Sequence, residues 1–146
     1  MATKADIEKF FADYARRFNE SLTGNLDVET TASAFAPCFI EASTRGVICA
    51  KNDDQFRAMI PRGSEFYRSI GTTSMTVKSV EITPLDPQHD MVRIFWHSEY
   101  LKQNGETVFI DFDVIYLLED TSGAPKIFSY ITGDEQQVLK DHGLVP

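Results

Sequence analysis

Two carboxylates on one strand, Asp111 and Asp113, are the residues whose types and spacing most clearly suggest chemistry. They lie in the β-rich segment VFIDFDVIY, and side chains two residues apart on a strand share a face. Two neighbouring carboxylates repel each other, which raises the pKa of one and gives an acid and a base near neutral pH. Such a pair suits proton transfer at carbon or activation of water. The alternative is an ion pair between one aspartate and an arginine, such as Arg45, Arg57, Arg62 or Arg68.

These aspartates belong to a predicted antiparallel hairpin that spans residues 90–118. Asn104-Gly105 suits a two-residue turn, because both residues tolerate positive φ. With those residues at the centre of the turn, the opposite pairs are Ser98 with Asp111 and Trp96 with Asp113. A three-residue loop would change this pairing.

Both faces of the predicted hairpin are largely apolar, so each needs a cover. One face carries Ile94, Trp96, Ser98, Tyr100, Phe109, Asp111, Asp113, Ile115 and Leu117. Acids among aromatic rings indicate a lined cavity, because an unpaired buried charge is costly. The other face carries Arg93, Phe95, His97, Glu99, Leu101, Val108, Ile110, Phe112, Val114 and Tyr116. His97 is therefore interpreted as an interface or core histidine, not as a base acting with the aspartates.

Aromatic residues could form a wall for a flat or hydrophobic ligand, and the alternative for each is ordinary core packing. The residues predicted to bind the ligand are Trp96, Ser98, Tyr100, Phe109, Phe10, Phe11 and Tyr67. Tyr14 lies on the apolar stripe of the first predicted helix, so its hydroxyl should point inward, as a site residue or as a core tyrosine with one hydrogen bond. Glu41 is a further pocket acid if its strand face points inward, and otherwise a solvated edge residue.

Composition excludes several functional classes. The chain has 146 residues, 42% of them hydrophobic, which predicts one globular domain over residues 1–146. Its net charge is -8 and it has no cluster of lysine or arginine, which argues against nucleic acid and anionic membranes as partners. The absence of a long apolar run and of a secretory signal favours the cytoplasm.

No metal or cofactor is expected from the sequence. The three histidines and two cysteines lack the spacing of metal ligands, and the cysteines fit free thiols. There is no phosphate loop or dinucleotide fingerprint.

The order of elements predicts an α+β fold. Helices are expected over residues 4–21, 28–35 and 135–140, and a helical stretch over residues 52–70 should break or kink at Pro61 and Gly63. Outside the hairpin, strands are expected over residues 38–43, 46–50, 72–83 and 126–132, mostly antiparallel, with the helices on one face of a curved sheet.

This order, with the closing stretch FDVIYLLEDTSGAPKIFSYITGDEQQ, resembles the NTF2-like superfamily, the α+β cone fold of SnoaL-like proteins. The resemblance covers nearly the whole chain and implies a curved, mostly antiparallel sheet wrapped around the long N-terminal helix. It also implies a deep internal pocket for a small molecule and a homodimer through the outer face of the sheet.

Within that superfamily, ketosteroid isomerase is similar to this chain at a tyrosine of the first helix, here Tyr14, and at an acid before the final turn, here Asp113. The resemblance implies that these residues form an oxyanion hole. The general base would fall at Ser43 in FAPCFIEAS, so the chain departs from that enzyme. The expected function is binding of an apolar or cyclic small molecule in the cone pocket, with cofactor-free acid/base chemistry by Asp113, Tyr14 and Asp111 of the isomerase, cyclase or hydratase/dehydratase type. The alternative is a non-catalytic dimer that binds a ligand or another protein.

Overall fold

The chain begins with a long amphipathic helix, α1 (Lys4–Leu22), in the computed structural model, which describes residues 2–121 and 123–146. Its start is set by a capping box, in which the Thr3 side chain accepts a hydrogen bond from the Asp6 amide and the Asp6 carboxylate accepts one from the Thr3 amide. Ile7, Phe11 and Ala15 form its buried stripe.

Three further helices and six strands follow α1 in the described ranges. They are α2 (Val28–Ala32), β1 (Phe35–Ser43), β2 (Gly46–Lys51), α3 (Asp54–Ser69), β3 (Thr72–Asp86), β4 (His89–Leu101), β5 (Thr107–Glu119), β6 (Lys126–Ile131) and α4 (Glu135–Asp141). The strands form one curved, open sheet in the order β2-β1-β6-β5-β4-β3, in which β1 and β6 are parallel and the other neighbours antiparallel. This confirms the predicted α+β fold with a long N-terminal helix.

The main core lies between α1 and the inner face of the sheet. Ile7 and Phe11 of α1 pack there with the centres of β4 and β5 and with Ile127 of β6. A second cluster, with Tyr100 and Leu139, joins the ends of β4 and β5 to α3 and α4. Helices thus cover one face of the sheet at both ends.

The hairpin of β4 and β5 forms, but its predicted register is wrong by one residue. Lys102 pairs with Glu106 through a hydrogen bond from the Lys102 amide to the Glu106 carbonyl of 2.9 Å, which leaves a three-residue loop. Of the two predicted turn residues only Gly105 has positive φ, at 86°, whereas a two-residue turn of the expected type needs positive φ at both. His97 therefore lies opposite Asp111.

This slip moves the residues of β5 to the other face. Val108, Ile110, Val114 and Tyr116 are buried on the inner face, whereas Phe109 is 59% exposed on the outer face. The outer face also carries Asp111 and Asp113, beside His97 and Arg93.

Two local predictions also differ from the structure. Helix α3 continues from Asp54 to Ser69 with Pro61 inside it, so the expected break is not seen. Proline is tolerated there at the expense of one backbone hydrogen bond. Helix α2 ends at Ala32, because Phe35 already begins β1, and Pro37 lies within that strand beside an irregularity in its pairing with β6.

Candidate functional site

A cavity of about 720 Å³ lies between the inner face of the sheet and helices α1, α3 and α4. All five tyrosines of the chain line this cavity together with its single tryptophan. These aromatic residues are Tyr14, Tyr67, Trp96, Tyr100, Tyr116 and Tyr130. Aromatic walls with a few polar groups are typical of small-molecule sites.

Tyr14 presents a free hydroxyl to the cavity. Its ring centroid lies 6.1 Å from that of Trp96 and 6.3 Å from that of Tyr116. The hydroxyl makes no hydrogen bond to any residue in the described part of the chain. Burial raises the pKa of Tyr14, against the opposing charge of Arg17. Tyr14 is therefore a protonated hydrogen-bond donor at neutral pH.

Glu135 and Tyr67 form a hydrogen-bonded pair across the cavity wall. The Tyr67 hydroxyl donates to the Glu135 carboxylate, with its oxygen 2.8 Å from Oε1 and 2.9 Å from Oε2. Glu135 is the first residue of α4, whose start is capped by Asp134. Glu135 is solvent-exposed as a residue, although neighbouring protein atoms partly desolvate its carboxylate.

The pKa of Glu135 is raised, chiefly by burial and further by the charge of Glu41, while the hydrogen bond from Tyr67 opposes the shift. Burial and the Glu135 charge in turn raise the pKa of Tyr67 well above its ordinary value. The pair thus combines a carboxylate that protonates more readily than usual with a phenol that stays protonated.

Glu41 and Tyr130 are a second carboxylate and tyrosine that lie side by side in the cavity lining. They are register partners on the parallel strands β1 and β6, and both line the cavity. Burial, and then the charge of Glu41, raise the pKa of Tyr130 far above its ordinary value. Within the described residues, neither Glu41 nor Glu135 lies within ion-pair distance of a lysine or arginine. This places Glu41 as a pocket residue, the inward alternative considered from the sequence.

Asp111 is on the outer face of the sheet, so the expectation that it lines the cavity is wrong. Its carboxylate lies 2.8 Å from Lys78 Nζ and 2.6 Å from His97 Nδ1. These two contacts, Lys78 first, lower its pKa instead of raising it. The expected separation of His97 from the aspartates is also wrong, for the same change of register.

Asp113 directs its carboxylate to the outer face as well, where Arg93 Nε donates to Oδ2 at 2.8 Å. Asp113 is among the residues that line the cavity, but its carboxylate forms an ion pair with Arg93. The alternative of an ion pair with arginine therefore holds for Asp113, although with an arginine of β4. The two aspartates do not form an acid pair inside the cone.

The predicted ligand-binding residues divide into two groups. Those on the cavity wall are Tyr67, Trp96, Ser98 and Tyr100. Phe109 instead lies on the outer face and stacks on His97, with 5.6 Å between ring centroids. Phe10 and Phe11 pack in the main core and do not line the cavity.

Sequence reasoning missed Glu135, Tyr116 and Tyr130. The predicted two-residue turn puts Tyr116 on the outer face, whereas the three-residue loop of the structure puts it on the inner face. Glu135 reads as an ordinary first-turn helix acid, and no local pattern places α4 beside the cavity. No group of three potential metal ligands occurs among residues 2–121 and 123–146. None of the helices in those ranges is long and apolar enough to cross a membrane.

Solved structures with the same fold cover most of the chain. The beta subunit of the benzoate 1,2-dioxygenase from Burkholderia mallei matches with a TM-score of 0.67 and 19% identity, covering 95% of both chains. An NTF2-like protein with a cystatin-like fold from Novosphingobium aromaticivorans matches with a TM-score of 0.68 and 11% identity, covering 98% of this chain and 88% of that one.

A ketosteroid isomerase-like protein from Erwinia carotovora atroseptica matches with a TM-score of 0.58 and 14% identity, covering 88% of this chain and 93% of that one. At these identities the likeness shows the fold alone. The search of curated proteins found no significant match. A family model described as NTF2-like protein (DUF6841) matches residues 4–135. The chain therefore belongs to the NTF2-like protein (DUF6841) family.

Proposed function

We propose that this protein binds an apolar or cyclic small molecule in the cone cavity and acts on it by acid/base catalysis without a cofactor. The observation that carries the proposal is the Glu135 carboxylate, which faces an aromatic cavity, accepts a hydrogen bond from Tyr67 and has a raised pKa. Perturbed carboxyl groups in a cavity are typical of catalytic acids and bases.

The proposed roles follow from the contacts of each group. Glu135 takes a proton from the substrate in its ionised form and returns it in its protonated form. Tyr14, whose hydroxyl has no partner among the described residues, donates a hydrogen bond to an oxygen that gains negative charge during proton transfer. Trp96 and the tyrosine rings hold the apolar body of the substrate. Asp111 and Asp113 have no part in this proposal.

A model reaction tests the carboxylate as a base. Nitrobenzisoxazole is a flat aromatic compound that loses its ring C–H proton to a base while its N–O bond breaks, which gives a coloured nitrile phenolate. We expect the protein to accelerate this reaction over buffer, with a rate that rises with pH through the raised pKa of Glu135.

The matched variant is Glu135→Gln, which keeps an oxygen to accept from Tyr67 but cannot take a proton. It should lose the acceleration by about a hundredfold, the lower end of what a positioned base contributes. Glu106→Gln, in the exposed β4–β5 loop, is the control and should behave as wild type. Equal rates for wild type and Glu135→Gln would refute the role of Glu135 as a base. The protein would then be interpreted as one that binds a ligand without turnover.

We also propose that two copies assemble through the outer face of the sheet. Phe109 and Leu101 are 59% and 51% exposed there, beside the ion pairs of Lys78 with Asp111 and of Arg93 with Asp113. A face with both charge signs and exposed apolar groups suits a two-fold contact with itself. The fold match to a dioxygenase beta subunit supports assembly. Light scattering should give twice the mass of 16.5 kDa, and a monomer at high concentration would contradict the proposal.

A further inference from the structure

We infer that the cavity selects organic cations, namely ligands that carry a protonated or quaternary nitrogen on an apolar body. This inference rests on the proposed function, because it assigns a substrate class to the same cavity. It is carried by the combination of a continuous aromatic wall with two carboxylates that have no cationic partner in the described part of the chain.

The aromatic wall is continuous across the cavity. Ring centroids are 6.1 Å apart for Trp96 and Tyr14, 6.3 Å for Tyr14 and Tyr116, and 6.4 Å for Tyr116 and Tyr130. The faces of tryptophan and tyrosine carry negative electrostatic potential and attract cations within about 6 Å. Trp96 and Tyr116 are only 1% and 5% exposed, so the half-buried rings of Tyr14 and Tyr130 are the ones that a ligand reaches, and these favour a cation over a neutral ligand of the same shape.

Most of the charged side chains that line the cavity are carboxylates. Glu41, Tyr130 and Glu135 all line the cavity, and the charge of Glu41 raises the pKa of the other two. A partly buried carboxylate without a counter-ion costs free energy, and a bound cation would offset that cost. The electrostatic potential of the cavity therefore favours a positively charged ligand.

The other charged groups of the lining do not cancel this negative charge. Asp134 lines the cavity and adds a further carboxylate, although it caps α4 through the Gln137 amide. Arg45 is the one cationic side chain of the described lining, and it lies in the exposed turn between β1 and β2. Asp113 is neutralised on the outer face by Arg93.

A metal ion is a poorer fit than an organic cation. Divalent metals usually need three or more protein ligands in a closed arrangement, and the described residues contain no group of three histidine, cysteine or carboxylate ligands. A cavity of about 720 Å³ is also far larger than a metal site and fits a ligand with an apolar body.

Three probes with one apolar cage test the inference: adamantylmethylammonium, adamantylmethanol and adamantanecarboxylate. They differ in charge but share a rigid hydrocarbon body that does not absorb near-ultraviolet light. Trp96 is the single tryptophan and lines the cavity, so its fluorescence reports binding directly. Each probe is titrated near neutral pH into wild type and variants, with calorimetry as a second readout.

We expect the ammonium probe to bind roughly tenfold more tightly than the alcohol, and the carboxylate to bind most weakly. Glu41→Gln and Glu135→Gln should each reduce the preference for the ammonium severalfold and leave the alcohol affinity nearly unchanged. Arg45→Gln should increase that preference. Glu106→Gln, a carboxylate outside the cavity, is the matched control and should keep the wild-type order.

Two results overturn the inference, and they differ in what they leave standing. If the alcohol binds as well as the ammonium, or the carboxylate binds best, cation selectivity is wrong while the cavity remains a ligand site. If none of the probes binds, the inference fails together with the proposal of an open small-molecule cavity. An ammonium preference that survives in both Gln variants also contradicts the assigned role of Glu41 and Glu135.

Discussion

Glu135 is a residue at which function and stability have opposite requirements. Its pKa is raised above the ordinary 4.5, so the folded protein holds this proton at pH values where the unfolded chain has released it. The folded state therefore loses stability relative to the unfolded state as the pH rises from below 4.5 through the raised pKa. A carboxylate whose ionised form destabilises the folded protein is typical of a functional site.

Replacing this acid by its neutral isostere should stabilise the protein. For Glu135→Gln we expect the free energy of unfolding at neutral pH to increase by up to about 1 kcal/mol, a modest value because Glu135 is solvent-exposed as a residue. The difference from wild type should vanish at acidic pH, where Glu135 is protonated. Denaturant unfolding at several pH values measures it, and a destabilised variant at neutral pH would contradict the stated origin of the pKa shift.

His97 should give a pH dependence of the same sign as Glu135, although for His97 the charged form is the one that stabilises the fold. Its pKa is raised from 6.5, first by the hydrogen bond with Asp111, so the charged imidazole stabilises the folded state. That contribution is complete below 6.5 and is lost as the pH rises through the raised pKa. We expect the stability difference between wild type and His97→Gln to shrink over that window. In an Asp111→Asn background the difference should be smaller throughout, and an undiminished one would show that Asp111 is not the cause.

At the scale of elements, the hairpin shows what the sequence could and could not predict. The β-rich runs and Asn104-Gly105 correctly indicate two antiparallel strands joined by a tight turn. Loop length is set by which residues take positive φ, and asparagine is compatible with both signs, so the pattern alone leaves two registers open. Because the predicted register is shifted by one residue, the prediction places Asp111, Asp113 and Phe109 in the cavity, whereas they lie on the outer face.

The junction between α3 and β3 depends on a glycine that no other residue can replace. Gly71 has φ of 85°, and a Cβ on it would lie 2.1 Å from the backbone carbonyl oxygen of Leu101. The Gly71 carbonyl also accepts a hydrogen bond of 2.8 Å from the Leu101 amide, which ties the end of β4 to this junction. The close approach therefore joins the C-terminal end of α3 to the end of β4.

We expect Gly71→Ala to destabilise the protein by about 2 kcal/mol or more, because it combines an unfavourable φ with an overlap between the added Cβ and the Leu101 backbone. The matched control is Gly63→Ala in the middle of α3, where an added Cβ has no atom within 4 Å. That change should stabilise the protein by about 0.5 to 1 kcal/mol through helix propensity. Thermal or denaturant unfolding separates the two, and similar effects at both positions would contradict the close contact at Gly71.

At the scale of the whole molecule, the cavity is assembled from distant parts of the chain. Its tyrosines come from α1, α3, β4, β5 and β6, and its acids from β1 and α4. Periodicity identified most of these elements, and the order of elements indicated the family fold. Neither segment alone predicts the hydrogen bond between Tyr67 and Glu135, because it depends on how α3 and α4 pack together in the folded chain.

Assembly through the outer face should appear in the stability of the whole molecule. If folded copies bind each other through Phe109 and its neighbours, dilution removes that interaction and lowers the midpoint of thermal unfolding. We expect the midpoint to rise by several degrees between low and high micromolar protein. Phe109→Glu should abolish this dependence, because it places a charge in the contact beside Asp111 and Glu99. Val47→Glu, at a position 68% exposed on the edge strand β2, is the control and should retain it. If the midpoint does not depend on protein concentration and the measured mass is that of a monomer, the proposed assembly of two copies through the outer face is wrong.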